Sequence, residues 1–80
     1  MIEITKEWEG RYAMCWYRKI RGDYAEGLEL YFCKIIKVGD EYCTCQLYYG
    51  EELDTKKVKG TFNDVCRNDI VEMFIDKTKA

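Results

Sequence analysis

Apolar and polar positions in this chain follow the short alternations of strands over most of its length, and helical spacing appears only near the end. Residues 11–20, Arg-Tyr-Ala-Met-Cys-Trp-Tyr-Arg-Lys-Ile, are rich in β-forming side chains and too short for a good helix, so they read as a strand. Residues 21–27 contain two glycines and read as a loop. Residues 28–38, Leu-Glu-Leu-Tyr-Phe-Cys-Lys-Ile-Ile-Lys-Val, form a second predicted strand, and residues 41–49 a third. Between them Gly39-Asp40 suits a two-residue hairpin turn, with glycine at the first position of a type II′ turn. Residues 50–55 make an acidic turn, and 56–60 a short fourth strand weakened by three lysines and Gly60. At the N-terminus, residues 2–5 alternate like an edge strand while 5–9 suit a helical turn equally well; Gly10 ends either.

The C-terminal stretch changes period. Thr61 and Asp64 have capping-box spacing. Cys66, Ile70, Met73 and Phe74 then recur at helical intervals, flanked by Val71 and Ile75, which predicts a helix from about Asn63 to Lys77. The expected fold class is therefore α+β: an antiparallel β-meander of three to four strands, free to curl towards a barrel, with one C-terminal helix packed on a face. All 80 residues fit one small domain.

A two-residue turn at Gly39-Asp40 places Ile36 opposite Cys43, Lys34 opposite Cys45 and Phe32 opposite Leu47. One face then carries Leu28, Leu30, Phe32, Ile36, Cys43, Cys45, Leu47 and Tyr49, and is expected beneath the helix. The other carries Tyr31, Cys33, Ile35, Tyr42 and Tyr48. That second face is too apolar to stand in water, so the N-terminal segment, a curl of the sheet or a partner must cover it.

Composition narrows the chemistry. The chain has no histidine, no serine and no proline. Without histidine and serine, Ser/His/Asp and Cys/His catalytic arrangements cannot be built from one copy, and no enzymatic activity is expected. Net charge is -2, with 13 basic and 15 acidic residues, which gives no electrostatic footprint for duplex nucleic acid or an anionic membrane. No apolar run is long enough for a membrane span, the N-terminus lacks a signal-peptide core, and a cytoplasmic, reduced location is expected. The cysteine count of five is odd, which excludes complete internal pairing. Cys43-Thr44-Cys45 is the only close pair, and strand geometry separates its Cα atoms by roughly 6.5–7 Å, a poor match to a zinc ligand pair. The thiols therefore read as small core hydrophobes, and no metal or cofactor is expected. A small structural zinc-binding domain, with Cys15, Cys33 and Cys66 converging on that pair, is an alternative.

Meander topology puts the 21–27 loop and the 50–55 turn at the same end of the sheet. Arg18, Arg21, Tyr24, Tyr48, Tyr49, Glu51, Glu52, Asp54 and Lys56 are expected to gather there on one rim. Tyrosine and arginine are enriched at binding hot spots, so this rim is the candidate partner surface. Asp69, Glu72 and Asp76 form an acidic stripe on the predicted helix, a second candidate surface. The leading reading is a small non-catalytic binding module whose partner is a protein. In size, acidic lean and lack of catalytic residues the chain is similar in style to small phage-encoded inhibitors of host enzymes, including anti-CRISPR proteins; no motif carries that similarity, and what it implies is inhibition by binding. The alternative partner is single-stranded nucleic acid or a nucleotide, stacked on Tyr31, Phe32, Tyr42 and Tyr48 beside the basic runs Arg18, Lys19, Arg21 and Lys56, Lys57, Lys59. A homodimer through the third strand or the second sheet face is also compatible with the pattern.

Overall fold

A computed structural model of the chain describes residues 3–21 and 24–71, with residues 19–21 and 24–26 described through their backbone alone. Its strands are β1 (Tyr12–Arg21), β2 (Tyr24–Val38), β3 (Tyr42–Tyr48), β4 (Val58–Cys66) and β5 (Ile70–Val71). Single 3-10 turns occupy Lys6–Trp8 and Arg67–Asp69. The first four strands form the expected antiparallel meander. The two-residue β5 returns to pair with β1, giving the sheet order β4-β3-β2-β1-β5.

That return brings the two edges of the sheet towards each other. β4 and β5 occupy opposite edges, yet only Arg67–Asp69 separates them along the chain. The edges must therefore curl towards each other. Side chains on β1 and β4 meet across the curl: the Tyr17 and Phe62 rings lie 4.8 Å apart, and the Tyr17 hydroxyl donates to Asp64 Oδ1 at 2.7 Å.

The predicted helix is overturned over its described part. Asn63–Cys66 belong to β4, Arg67–Asp69 are a 3-10 turn and Ile70–Val71 are β5, so the described residues contain no α-helix and the architecture is all-β rather than α+β. Thr61 and Asp64 are strand residues, not a capping box. The remainder of the predicted helix, residues 72–77, lies outside the described residues. The physical reason is visible in composition. Thr61, Phe62, Asn63, Asp64, Val65 and Cys66 all belong to the weaker helix formers. Pairing with β3 (Cys43↔Val65, Tyr42↔Cys66) and complete burial of Val65 then outweigh a periodicity that only four residues supported.

The β2–β3 register differs from the expected one by two residues next to the turn and by one residue beyond the bulge. Phe32 pairs with Tyr48, Cys33 with Leu47 and Ile35 with Cys45; a bulge follows, and beyond it Val38 pairs with Cys43. The turn is centred on Asp40-Glu41, with the Gly39 amide donating to the Tyr42 carbonyl at 3.0 Å. A Cβ on Gly39 would stand 2.6 Å from that carbonyl oxygen, so the close approach of the two strands requires glycine there. A one-residue slip exchanges the faces of a strand. The β3 residues assigned to the core (Cys43, Cys45, Leu47) are indeed buried, but they pack with Tyr31, Cys33, Ile35 and Val38, not with Leu28, Leu30 and Ile36, which are exposed.

The core lies inside the curl. Ala13, Cys15, Cys33, Ile35, Cys43, Cys45, Leu47 and Val65 are completely buried. Alanine and four cysteines are small, which lets the concave walls approach closely while still filling the interior. The segment before β1 covers one opening: Ile4 is buried in the cluster and Trp8 packs against it. Arg67 fixes this arrangement. Its guanidinium donates to the carbonyls of Gly39 at 3.2 Å and Asp40 at 3.1 Å, and also to the carbonyl of Ile4, tying the N-terminal segment, the β2–β3 turn and the β4–β5 connection together. Glu9 contributes by accepting the Val38 amide at 2.9 Å.

Candidate binding surface

The residues proposed for one rim are spread over three places. Topology does put the β1–β2 and β3–β4 connections at the same end. The β1–β2 ladder, however, continues to Arg21↔Tyr24, while β2 pairs with β3 only from Phe32 onward. Tyr24 is eight residues before Phe32 on β2, roughly 26 Å of strand at about 3.3 Å per residue. Arg21 and Tyr24 thus belong to the far part of the β1–β2 hairpin. Arg18 sits between, exposed on β1 and opposite Leu28.

Tyr49, Glu51, Glu52, Asp54 and Lys56 do share the β3–β4 connection. Tyr49, Glu51, Glu52 and Lys56 are exposed. Asp54 shapes the turn itself: its carboxylate accepts the Lys56 amide at 2.9 Å and its carbonyl accepts the Lys57 amide at 3.0 Å. Tyr48 is not a rim residue. It is 2% exposed, packs against the Tyr12 ring and donates its hydroxyl to Gln46 Oε1 at 2.9 Å. Of the acidic stripe, Asp69 stands in the Arg67–Asp69 turn beside Cys66, while Glu72 and Asp76 lie outside the described residues.

The aromatic platform considered for single-stranded nucleic acid is also divided. Tyr31 and Tyr48 are buried, Phe32 is half-buried and Tyr42 is exposed at the opposite end of β3 from Tyr48.

The sheet exposes a different surface. On the outer side of β1 and β2, Trp16 stands directly opposite Leu30, Met14 opposite Phe32 and Arg18 opposite Leu28. Trp16 and Leu30 are each 40% exposed and Leu28 is 48% exposed. Val71 on β5 pairs with Met14 and extends the strip. Its ends carry positive charge: Arg18 at one, and at the other Lys34, which pairs with Tyr12 and holds its ammonium 5.8 Å from that ring's centre. A large, half-exposed tryptophan in the middle of a contiguous apolar strip is the usual anchor of a protein interface. The residue pattern places Leu28 and Leu30 on the buried face only if β2 runs without a bulge; the bulge after Ile35 turns them to the outside. The bulge after Ile35 had no signature in the residue pattern.

A groove of about 600 Å³ lies beside the Arg67 clamp, bordered by Glu3, Asp40, Glu41 and Tyr42. Its one cation is occupied with backbone carbonyls, so the groove is part of the fastening of the N-terminal segment.

The thiols behave as core groups. Cys15, Cys33, Cys43 and Cys45 are buried and Cys66 is half-buried, all of them free. Contacts with the sulfurs of Cys15 and Cys45, and then burial, push the Cys33 thiol far above its ordinary range. Burial raises Cys43, and burial followed by the neighbouring Asp69 carboxylate raises Cys66. Among the described residues no group of three or more cysteine, aspartate or glutamate side chains is arranged to hold a metal ion. Among the same residues no helix is long and apolar enough to cross a membrane.

Compared with known proteins, the chain matches no family model, no curated protein and no solved structure. The fold and surface themselves define it as a small, curled, all-β domain with an apolar outer strip.

Proposed function

We propose that this chain is a small non-catalytic binding module whose partner is a protein, held on the outer strip of β1 and β2. The observation that carries the reading is the cross-strand pair Trp16–Leu30, exposed together at the centre of an apolar surface and flanked by Leu28, Met14 and Phe32. Burial of such side chains supplies most of the affinity of a typical interface. Arg18 and Lys34 at the two ends favour a partner segment that is apolar in the middle and acidic at its margins, and such charges act mainly on association rate and orientation. The absence of histidine and serine supports binding over turnover. The similarity in style to phage-encoded inhibitors makes occlusion of a partner enzyme's surface the form of action to test.

The test compares wild type with Trp16→Ala and Leu30→Asp, using Glu51→Lys on the β3–β4 turn as a control. A partner retained by wild type and by the control, but lost by both strip variants while they stay folded, supports the strip. Its retention should weaken as salt rises. Unaltered retention by folded Leu30→Asp removes the strip from consideration. Light scattering on the same samples identifies a second copy of the chain as the occupant if the wild type is dimeric and Leu30→Asp monomeric.

A further inference from the structure

On the other side of β2 from Leu30, three aromatic rings gather around one ammonium group. Lys59 is the extra residue of a bulge in β4: Leu47 pairs with Gly60 and Tyr48 with Val58, leaving Lys59 between them without an opposite number. Bulges re-aim side chains, and this one directs Lys59 over the rings. Its Nζ stands 5.2 Å from the centre of the Tyr49 ring, 5.5 Å from Tyr31 and 5.9 Å from Phe62. The three rings come from three places in the chain, which makes this a tertiary arrangement. Gly60 has a φ of +155°, and a Cβ there would lie 3.2 Å from Phe62 Cζ, so glycine is what lets the Phe62 ring lie against the β4 backbone.

The surroundings add to the attraction for a cation. The Tyr31 hydroxyl donates to Glu29 Oε2 at 2.7 Å. Behind Phe62, Tyr17 donates to Asp64 at 2.7 Å. A phenol that donates to a carboxylate gains electron density in its ring, and the ring face is what a cation meets. The cluster thus presents three ring faces at cation–π distance, with the Glu29 carboxylate held on the hydroxyl of one of them, and Lys59 shows that an ammonium fits.

We infer that this cluster is an aromatic cage for a methylated ammonium, such as an N-methylated lysine on a partner peptide, and that Lys59 is its placeholder in the free protein. The preference for methylation follows from competition. Lys59 is tethered at the site, with an effective concentration of the order of millimolar or above. An unmodified lysine from another molecule offers the rings the same group without that advantage. A methylated ammonium is less strongly hydrated and touches the rings over more surface, so it displaces Lys59 where plain lysine does not.

The experiment uses the whole chain and two probes, tetramethylammonium and a short peptide carrying one trimethyllysine, with the unmodified peptide beside it. Ring-proton NMR follows Tyr31, Tyr49 and Phe62. Lys59→Ala should bind both methylated probes about tenfold more tightly than wild type, and adding Tyr49→Ala should remove that gain. Lys59→Met serves in place of Lys59→Ala if the alanine variant unfolds, because it keeps the aliphatic stem and loses only the charge. A folded Lys59 variant with no saturable shift of these rings up to roughly 0.1 M tetramethylammonium overturns the cage. Binding that ignores Tyr49→Ala does the same, and equal affinity for the two peptides overturns the preference for methylation.

Discussion

Tyr17 on β1 donates its hydroxyl to Asp64 on β4 at 2.7 Å, across a sheet in which two whole strands separate them. The contact, with the 4.8 Å packing of Tyr17 on Phe62, is a direct measure of how far the sheet has curled. Tyr17→Phe and Asp64→Asn should each cost about 1 kcal/mol in denaturant unfolding, with the double variant costing clearly less than the sum. Strict additivity would show that the two side chains do not meet in solution. The pair also carries a pH signature. Burial first, then the carboxylate partner, raise the Tyr17 phenol, and the same causes push Tyr31 up to about 12 from the ordinary 10. A phenol raised on folding keeps its proton longer in the folded state, so its stabilisation is complete below pH 10 and is lost as pH rises from 10 through about 12. Urea midpoints should therefore fall over that window, and less steeply in Tyr17→Phe.

Gly39 is a second place where geometry dictates residue type. A methyl group there meets the Tyr42 carbonyl at 2.6 Å, a backbone atom that cannot swing aside. Gly39→Ala should destabilise the fold by roughly 1–3 kcal/mol. Gly27, whose added Cβ would meet nothing, is the control, and Gly27→Ala should cost less. Equal effects would mean that the β2–β3 turn adopts another register.

Truncation along β2 and β3 should cost stability in proportion to burial. Leu47 is completely buried, and Leu47→Ala should cost about 2–5 kcal/mol. Leu30→Ala, on the outer strip at 40% exposure, should cost under about 1 kcal/mol. Tyr48→Ala belongs with the first group despite its place on the outer side, because it is only 2% exposed. Thermal melts of the three variants settle the assignment of faces, and a large loss for Leu30→Ala would reverse it.

Thiol chemistry gives an independent view of the interior. Cys66 is half-buried while Cys15, Cys33, Cys43 and Cys45 are enclosed, and burial holds Cys43 and Cys66 in the unreactive protonated form. A thiol reagent at pH 8 should label Cys66 first and slowly, then the four others together at the rate of global unfolding. Rapid labelling of any interior cysteine in folded protein would show that the curl opens locally.

Strand content was legible in the residues themselves. Aromatic and β-branched side chains with alternating polarity mark β1, β2 and β3, and the glycine-acidic pair between β2 and β3 marks the hairpin. The absence of histidine and serine narrowed the chemistry at once, because those groups cannot be supplied by folding. Register, closure and the surface were decided at the tertiary level. Moving the turn from Gly39-Asp40 to Asp40-Glu41 shifts the pairing by two residues and keeps the faces; the bulge between Ile35 and Lys37 takes back one residue and exchanges the faces of β2 from Ile35 towards Leu28, and only the meeting of strands places it. Residues 63–71 carry a helical period in sequence, but pairing of Val65 with Cys43 and of Ile70 with Cys15 fixes them as strand, turn and strand. Alternation states that a residue has two sides to choose from; the long-range partners, each far away along the chain, determine which side is dry.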